Sequence, residues 1–320
     1  MALQLVHLLQ AHLLVSDPVP PLPPYVPALT FPNVSDYLPA TMPPLGRPIR
    51  DLWTFAPGWT NLNHGSYGAP PKAVVRVKEA WTGMMEANPE LFIRWQAYPA
   101  LDRVRAMVAD YVNADADDIA FVENASHGMN AVLRSLCERM AGATILHLNL
   151  AYPMVKNTLN YCADNFGVEL LAADVHGGDG LTVDGVVNTV RTALKTAGGA
   201  VKLVVVSHIT STPALVMPVA ELADLAHEHG ALLAVDGAHA LGQIPVDVST
   251  WQVDFWVANG HKWLLAPKGA AVLWTRREHQ HLIYPTTINQ EGIGASRYQR
   301  DFSYQGARGR GRVEGVRGGV

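Results

Sequence analysis

The sequence has little cysteine, little charge and no long apolar run, and each absence excludes a class of protein. Only two cysteines, Cys137 and Cys162, occur in 320 residues. This excludes a disulfide framework and a cysteine-based zinc site and favours a reducing compartment, the cytoplasm. Lys and Arg number 24 against 28 Asp and Glu, so the positive excess of a nucleic-acid-binding protein is missing. No apolar stretch approaches the ~18 residues of a membrane span. What remains is a globular chain, 49% hydrophobic, that can bury a sizeable core.

Both ends of the chain differ in composition from the middle. Residues 1–15 are mostly apolar and lack the features of a signal peptide, and their spacing predicts a short amphipathic helix. Eleven of the 22 prolines lie between Pro18 and Pro48. They predict an extended arm, which is either a tether or a ligand for an aromatic-lined groove. From Gly306 to Val320, six glycines and four arginines predict a disordered tail, with RNA binding as an alternative for this segment.

Between residues 69 and 275, short apolar runs alternate with longer segments of helical period. The predicted strands are 119–123, 143–147, 168–172, 202–207, 231–236, 254–257 and 270–274. The predicted helices are 71–87, 98–113, 127–140, 153–166, 182–197 and 219–229. This alternation predicts an α/β fold with a mostly parallel seven-stranded sheet covered by helices. Ligands bind beyond the carboxyl ends of such strands, so functional side chains are expected there.

Small and polar residues follow the first predicted strand. The run Asn124-Ala-Ser-His-Gly128 would leave free N–H groups and the positive end of a helix dipole above the sheet, which suits a phosphate. A Ser126 N-cap without any ligand is the alternative interpretation.

Two charged side chains follow later strands. Asp236 emerges from a fully apolar strand, where a carboxylate needs a cationic partner such as a protonated heterocyclic nitrogen. A helix N-cap ahead of Ala238 is the alternative. Lys262 lies beside a histidine and a tryptophan at the end of another buried strand, where desolvation would lower its pKa toward the range that imine formation needs. A structural lysine with its amine at the surface is the alternative.

These three features are more specific together than apart. The expected sheet order brings Asp236 and Lys262 to neighbouring strand ends near the helix start at Ser126. A lysine that forms an imine, a carboxylate for a pyridinium and a helix start for a phosphate are what pyridoxal phosphate requires of a protein.

At these residues the chain resembles the class V aminotransferase family of fold-type I pyridoxal-phosphate enzymes. The runs 61–68, 88–94 and 123–126 resemble the isopenicillin-N-epimerase-like branch. Within it, the chain looks most like the hercynylcysteine sulfoxide lyases of ergothioneine biosynthesis, which cleave a carbon–sulfur bond.

The resemblance implies a role in cofactor binding for nine residues. Lys262 would bind the cofactor covalently, and Asp236 would pair with its pyridine nitrogen. The remaining seven would contact the phenolic oxygen (Ser211, His239), the ring face (Tyr152) or the phosphate (Ala125, Ser126, Asn259, His261).

On the substrate side, the resemblance implies Asn63, His64 and Arg94, with Arg94 as a partner for a carboxylate through its bidentate guanidinium. No metal site is expected, because His227-Glu-His229 and His279-Gln-His281 lack the i,i+4 helical spacing of a zinc site.

The predicted organisation has four parts. Residues 1–48 form the N-terminal segment and proline-rich arm, 49–290 the cofactor-binding large domain, 291–305 the start of a small domain and 306–320 the tail. The family pattern normally continues after residue 301 into a smaller C-terminal domain, so the resemblance implies that this domain is truncated, as a misspliced gene model would explain.

The predicted activity is a pyridoxal-phosphate-dependent lyase acting on a cysteine conjugate and releasing pyruvate and ammonia. A class V epimerase or aminotransferase and a truncated, inactive paralogue are the alternatives. The desulfurase reaction is disfavoured, because both cysteines precede Lys262 in predicted helices and lie far from the family's persulfide-forming loop. The resemblance also implies a homodimer acting on a small amino acid.

Overall fold

The computed structural model describes residues 32–288 and Phe302, except the side chain of Asp179. The predicted helix at residues 1–15, the first part of the proline-rich arm and the predicted tail lie outside the described residues. The predicted domain boundaries stay a prediction. In the described part of the chain, no helix has the length and apolarity to cross a membrane.

The described part of the arm is not extended throughout, contrary to the prediction. It contains a 3-10 helix at Val34–Tyr37 and the start of another at Arg47–Leu52. The first contains no proline and is closed by a capping box between Asn33 and Asp36. The second has its proline in the first turn, where a missing N–H costs no hydrogen bond.

Eight α-helical segments lie in the described residues. They are α1 (His64–Tyr67), α2 (Lys72–Ala87), α3 (Pro89–Leu91), α4 (Ala97–Val112), α5 (Ala125–Cys137), α6 (Pro153–Phe166), α7 (Val183–Ala197) and α8 (Val219–Glu228). A π-helical turn at Phe92–Gln96 joins α3 to α4, and further 3-10 helices lie at Ala116–Asp118, Gly178–Leu181 and Arg277–Leu282. The six predicted helices correspond to α2 and α4–α8.

Seven strands of the described residues form one sheet. They are β1 (Ile119–Val122), β2 (Thr144–Leu148), β3 (Glu169–Ala173), β4 (Val201–Ser207), β5 (Leu232–Asp236), β6 (Phe255–Asn259) and β7 (Ala271–Thr275). The sheet order is β1-β7-β6-β5-β4-β2-β3, and β7 runs in the direction opposite to that of the other six strands. The predicted α/β class and the mostly parallel, seven-stranded sheet are therefore confirmed.

The sheet is buried on both faces because its strands are apolar at successive positions. Along β4, Val204 and Val206 contact one core with α4, α7 and α8, whereas Leu203 and Val205 contact a second core with α5 and α6. The same alternation runs along β5. A strand buried on both faces reads as a continuous apolar run, which is why these segments could be predicted from the sequence.

The two cysteines form a disulfide, although their small number favoured a reducing compartment. Cys137 at the end of α5 and Cys162 in α6 are both fully buried, with their Cα atoms 5.7 Å apart. The prediction that both lie in helices is confirmed. Their pairing follows from the packing of α5 on α6, which no local pattern encodes.

Candidate active site

Strand direction brings the polar residues of five chain segments to one edge of the sheet. Strands β2, β4, β5 and β6 are parallel, so their carboxyl ends meet at that edge. Two antiparallel steps, from β6 to β7 and from β7 to β1, restore the direction, so the end of β1 lies there too. The predicted neighbourhood of Asp236 and the strand that leads to Lys262 is confirmed by the pairing of β5 with β6.

Lys262 lies in the turn that follows β6, with its amine against a histidine. Its Nζ is 3.2 Å from Nε2 of His239, which follows β5. The indole Nε1 of Trp263 donates to the other ring nitrogen, Nδ1, at 3.4 Å. The three side chains form a chain of polar contacts at the sheet edge.

Burial and the attraction between opposite charges shift the pKa values of Lys262 and Asp236 in opposite directions. Burial lowers the pKa of the Lys262 amine, and the charge of Asp236 opposes this effect only in part. Burial likewise raises the pKa of the Asp236 carboxyl, and the N–H of Ala238 and the charge of Lys262 offset only part of the shift. Burial and the adjacent lysine also lower the pKa of His239 to about 4. At neutral pH His239 is therefore an uncharged imidazole.

Asp236 is 5% exposed and accepts one hydrogen bond, from the N–H of Ala238 at 3.0 Å. Its second carboxylate oxygen has no hydrogen-bond partner within the described part of the chain. The residues after Asp236 form turns, so the alternative of a helix N-cap is wrong. The buried carboxylate therefore has spare acceptor capacity.

Helix α5 begins at the same edge, two residues earlier than predicted. Its N-cap is Asn124, whose side chain accepts from the N–H of His127 at 2.8 Å, so the alternative of a Ser126 cap is wrong. The Oδ1 atom of Asn259 accepts the N–H of Ala125 at 2.9 Å. The N–H and hydroxyl of Ser126 keep no hydrogen-bond partner among the described residues, and the Asn259 amide keeps both of its N–H donors.

Three further predicted residues surround this edge. The ring Nδ1 of His261 is 3.0 Å from the carbonyl of Ala270, and burial lowers the pKa of the ring. Tyr152 is the N-cap of α6, and its side chain is 46% exposed. Ser211 is exposed in the loop after β4. No hydrogen bond of the described residues occupies the side chain of Tyr152 or Ser211.

The segment 63–68 packs directly on the turn that carries Lys262. A Cβ on Gly68 would lie 1.6 Å from the carbonyl oxygen of His261, and one on Gly65 would lie 3.0 Å from the His239 ring. The ring of His64 lies 5.8 Å from that of Trp263, and its Nδ1 is buried with no hydrogen-bond partner among the described residues. Burial lowers the pKa of His64. His64 therefore reaches the site.

The other two predicted substrate residues are engaged elsewhere. Asn63 caps α1, where its Oδ1 accepts from the N–H of Ser66 at 3.0 Å. Arg94 lies in the π-helical turn and forms an exposed ion pair with Glu90. No described contact joins Arg94 to Lys262 or Asp236.

Several residues of the site were missed from the sequence. Trp263 contacts His239, Gly65 and Gly68 allow the close approach of segment 63–68, and Asn124 caps α5. Asn124 had a local signal, since an Asn before a helix start is a preferred N-cap. The contacts of Trp263 and of the two glycines depend on tertiary packing and had no such signal.

The donor set fits pyridoxal phosphate. Lys262 offers an amine with a lowered pKa, and Asp236 a buried carboxylate with an unused oxygen. The start of α5 offers an N–H and a hydroxyl on Ser126, beside the amide donors of Asn259. These are the groups that the aldehyde, the ring nitrogen and the phosphate of the cofactor require. The described residues contain no group of three or more side chains suited to a metal ion.

Solved structures of similar fold include a mutant of C-DES with glycine covalently linked to its pyridoxal-phosphate cofactor. The similarity has a TM-score of 0.69 at 22% identity and covers 79% of this chain and 68% of that chain. At this identity the likeness concerns the fold.

Curated relatives of this chain include a desulfhydrase, an epimerase and a lyase. A putative L-cysteine desulfhydrase 1 of Oryza sativa subsp. japonica is 32% identical, over 74% of this chain and 52% of its own length. The isopenicillin N epimerase of Amycolatopsis lactamdurans is 29% identical over 75% of this chain and 60% of its own. The hercynylcysteine sulfoxide lyase of Schizosaccharomyces pombe is 24% identical over 74% of this chain and 59% of its own. The chain spans about half the length of the rice relative.

The model of the family described as aminotransferase class V matches residues 69–306. The predicted family is confirmed, and with it the expectation of pyridoxal phosphate as the family's cofactor. The matched range begins directly after segment 63–68 and includes all seven strands of the sheet. The chain therefore belongs to the class V aminotransferase family.

Proposed function

We propose that this chain is a pyridoxal-phosphate-dependent lyase that cleaves the Cβ–S bond of cysteine or a cysteine conjugate. The observation that carries the proposal is Lys262, a partly buried amine with a lowered pKa, beside His239 and the buried Asp236. The choice of carbon–sulfur cleavage is supported by the similarity to the rice desulfhydrase and the yeast sulfoxide lyase.

The roles of the residues follow from their chemistry. When bound, pyridoxal phosphate supplies an electron sink that stabilises negative charge at the substrate Cα. Asp236 would hold the proton on the ring nitrogen through charge pairing. Ser126 and Asn259 would donate hydrogen bonds to the phosphate, with His261 beside them, and Ala125 holds Asn259 in place through its N–H. His239 and Ser211 would bind the phenolic oxygen, and Tyr152 would cover the ring face.

Lys262 has two tasks, first as the attachment point of the cofactor and then as a base. As a base, its Nζ would take the Cα proton of the substrate. The sulfur group leaves Cβ with the electron pair of the broken C–S bond, and water completes the release of pyruvate and ammonia. The lowered pKa of Lys262 favours the neutral amine, which is the form that can accept this proton.

On the substrate side, His64 is the residue that the geometry favours, because its unpaired Nδ1 lies in the aromatic cluster around Trp263. Asn63 supports it by capping α1. For Arg94 to bind the substrate carboxylate, it must exchange Glu90 for that partner.

The proposal extends to the leaving group, the oligomeric state and the compartment. The leaving group is hydrogen sulfide from cysteine or a sulfenate from a sulfoxide such as hercynylcysteine sulfoxide, and a homodimer and a cytoplasmic location are proposed with it. An epimerase shares the Cα proton step and differs in returning the proton, so the relative from Amycolatopsis lactamdurans makes epimerisation the second candidate.

The test is an assay for pyruvate. The chain is loaded with pyridoxal phosphate and incubated with L-cysteine or with a cysteine-conjugate sulfoxide. We expect pyruvate from at least one substrate, and a loss of at least about 10³-fold in the Lys262→Ala variant. The Lys202→Ala variant, altered at an exposed lysine in β4, should match the unaltered protein. Racemised substrate without pyruvate would favour the epimerase over the lyase. If neither pyruvate nor racemised substrate formed, both proposals would be contradicted.

A further inference from the structure

We propose that Trp263 is a positioning residue that holds Lys262 as a neutral amine by fixing the tautomer of His239. The inference deepens the proposed function, since it explains how the base is kept ready. It concerns the protein before any cofactor binds, so it can be tested separately.

The hydrogen bond between Trp263 and His239 can run in only one direction. An indole Nε1 carries a hydrogen and has no lone pair to accept with, so it can only donate. It lies 3.4 Å from Nδ1 of His239. Nδ1 must therefore accept, and in the neutral ring the hydrogen must lie on Nε2.

His239 in turn contacts Lys262. Nε2 lies 3.2 Å from Nζ of Lys262. With its hydrogen on Nε2 the ring donates, and Nζ must accept through a lone pair. An ammonium group has three donors and no lone pair. A neutral imidazole cannot accept at both nitrogens, so Trp263 and the ammonium form of Lys262 compete for the same ring.

Other titratable groups near Lys262 also affect whether its amine is charged. Asp236 at the end of β5 favours the ammonium form of Lys262, whereas burial opposes it. His64 in α1 and His261 in the turn after β6 both have a pKa lowered by burial, which favours their uncharged forms. Trp263 therefore acts in the same direction as burial and against Asp236.

The packing around Trp263 keeps its indole in place. A Cβ on Gly242 would lie 2.5 Å from the carbonyl oxygen of Trp263, so the backbone of this residue is held closely from one side. On the side of its ring, His64 packs at a centroid distance of 5.8 Å. Gly65 lies against the His239 ring. The donor and the acceptor are thus both fixed by neighbouring backbone.

The test uses the full chain without cofactor and makes two measurements. Nitrogen-15 NMR of the histidine rings reports which nitrogen of His239 carries the hydrogen. Competitive acetylation across a pH series, with the Lys262 peptide quantified by mass spectrometry, gives the pKa of its amine. In the unaltered protein we expect the hydrogen on Nε2.

The Trp263→Phe variant keeps an aromatic ring and removes the donor. We expect mixed tautomers of His239 and an upward shift of about 0.5–1 pH unit in the Lys262 titration, the equivalent of one hydrogen bond. The matched control is Trp53→Phe, since Trp53 also packs on His64 but donates to the carbonyl of Ala69. It should leave both measurements unchanged.

A hydrogen on Nδ1 in the unaltered protein would overturn the proposal. This measurement needs no variant, so it holds even if Trp263→Phe fails to fold. An unchanged Lys262 titration in a folded Trp263→Phe variant would also overturn it. Neither result bears on the pyruvate assay. Conversely, a chain that makes no pyruvate can still have the proposed tautomer, so the two proposals fail separately.

Discussion

At the scale of the residue, the site depends on a balance between burial and attraction at Asp236 and Lys262. Burial favours the neutral form of both groups, and each one's charge favours the charged form of the other. Such opposed shifts are typical of sites that must hold and move a proton. A cation on the ring nitrogen of the cofactor would relieve the cost of the buried Asp236 carboxylate.

The Asp236→Asn variant separates the stability that the buried carboxylate costs from the activity that it supports. Because burial raises the pKa of Asp236, the folded protein without cofactor loses stability as pH rises from the ordinary Asp value through the raised one. The variant lacks this loss, so its unfolding free energy should exceed that of the unaltered protein by roughly 1–3 kcal/mol at neutral pH. Its lyase activity should fall about 10²-fold or more. Urea unfolding across a pH series measures the first effect.

The control for this variant is Asp110→Asn, because Asp110 is exposed on α4. It should change neither the pH profile of stability nor the activity. If Asp236→Asn were less stable than the unaltered protein at neutral pH, the carboxylate would have a partner that this account omits.

At the scale of the element, the four-residue helix α1 and the turn after it cover Lys262. Gly68 ends α1 with φ +68° and ψ 163°, a region that is nearly restricted to glycine. Its missing side chain lets the backbone lie against His261. At position 68, where the segment comes closest to His261, only glycine therefore fits.

The Gly68→Ala variant should therefore be destabilised by about 3 kcal/mol, from the backbone conformation and the overlap with His261 together. The matched control is Gly142→Ala, which shares a positive φ of 76° but has nothing within 4 Å of its added Cβ. It should lose only about 1 kcal/mol. Thermal unfolding of both variants makes the comparison, and equal losses would mean that the close approach is not tight.

The elements also indicate how much of the site the sequence could reveal. Asp236 and Lys262 were predictable because each lies at or just beyond the end of an apolar strand, whereas Asn259 came from the resemblance. Trp263 and Gly68 were not, because their contacts depend on how segment 63–68 packs on the turn after β6. Arg94 came from the resemblance alone, and the structure pairs it with Glu90.

At the scale of the whole molecule, the sheet brings the site together. Alternating apolar runs and helical periods were enough to predict seven strands, since strands buried on both faces have a strong local signal. The sheet order β1-β7-β6-β5-β4-β2-β3 determines which strand ends are neighbours. The Cys137–Cys162 disulfide and the 3-10 helices of the arm were not predicted, because they depend on helix packing and on capping.

The most direct test of the central claim is to locate the cofactor on the chain. The protein is incubated with pyridoxal phosphate, reduced with borohydride, digested and sequenced by mass spectrometry. The account predicts loss of the visible absorbance on reduction and a pyridoxyl-phosphate group on Lys262. A label confined to exposed lysines such as Lys268, with Lys262 unmodified, would contradict it.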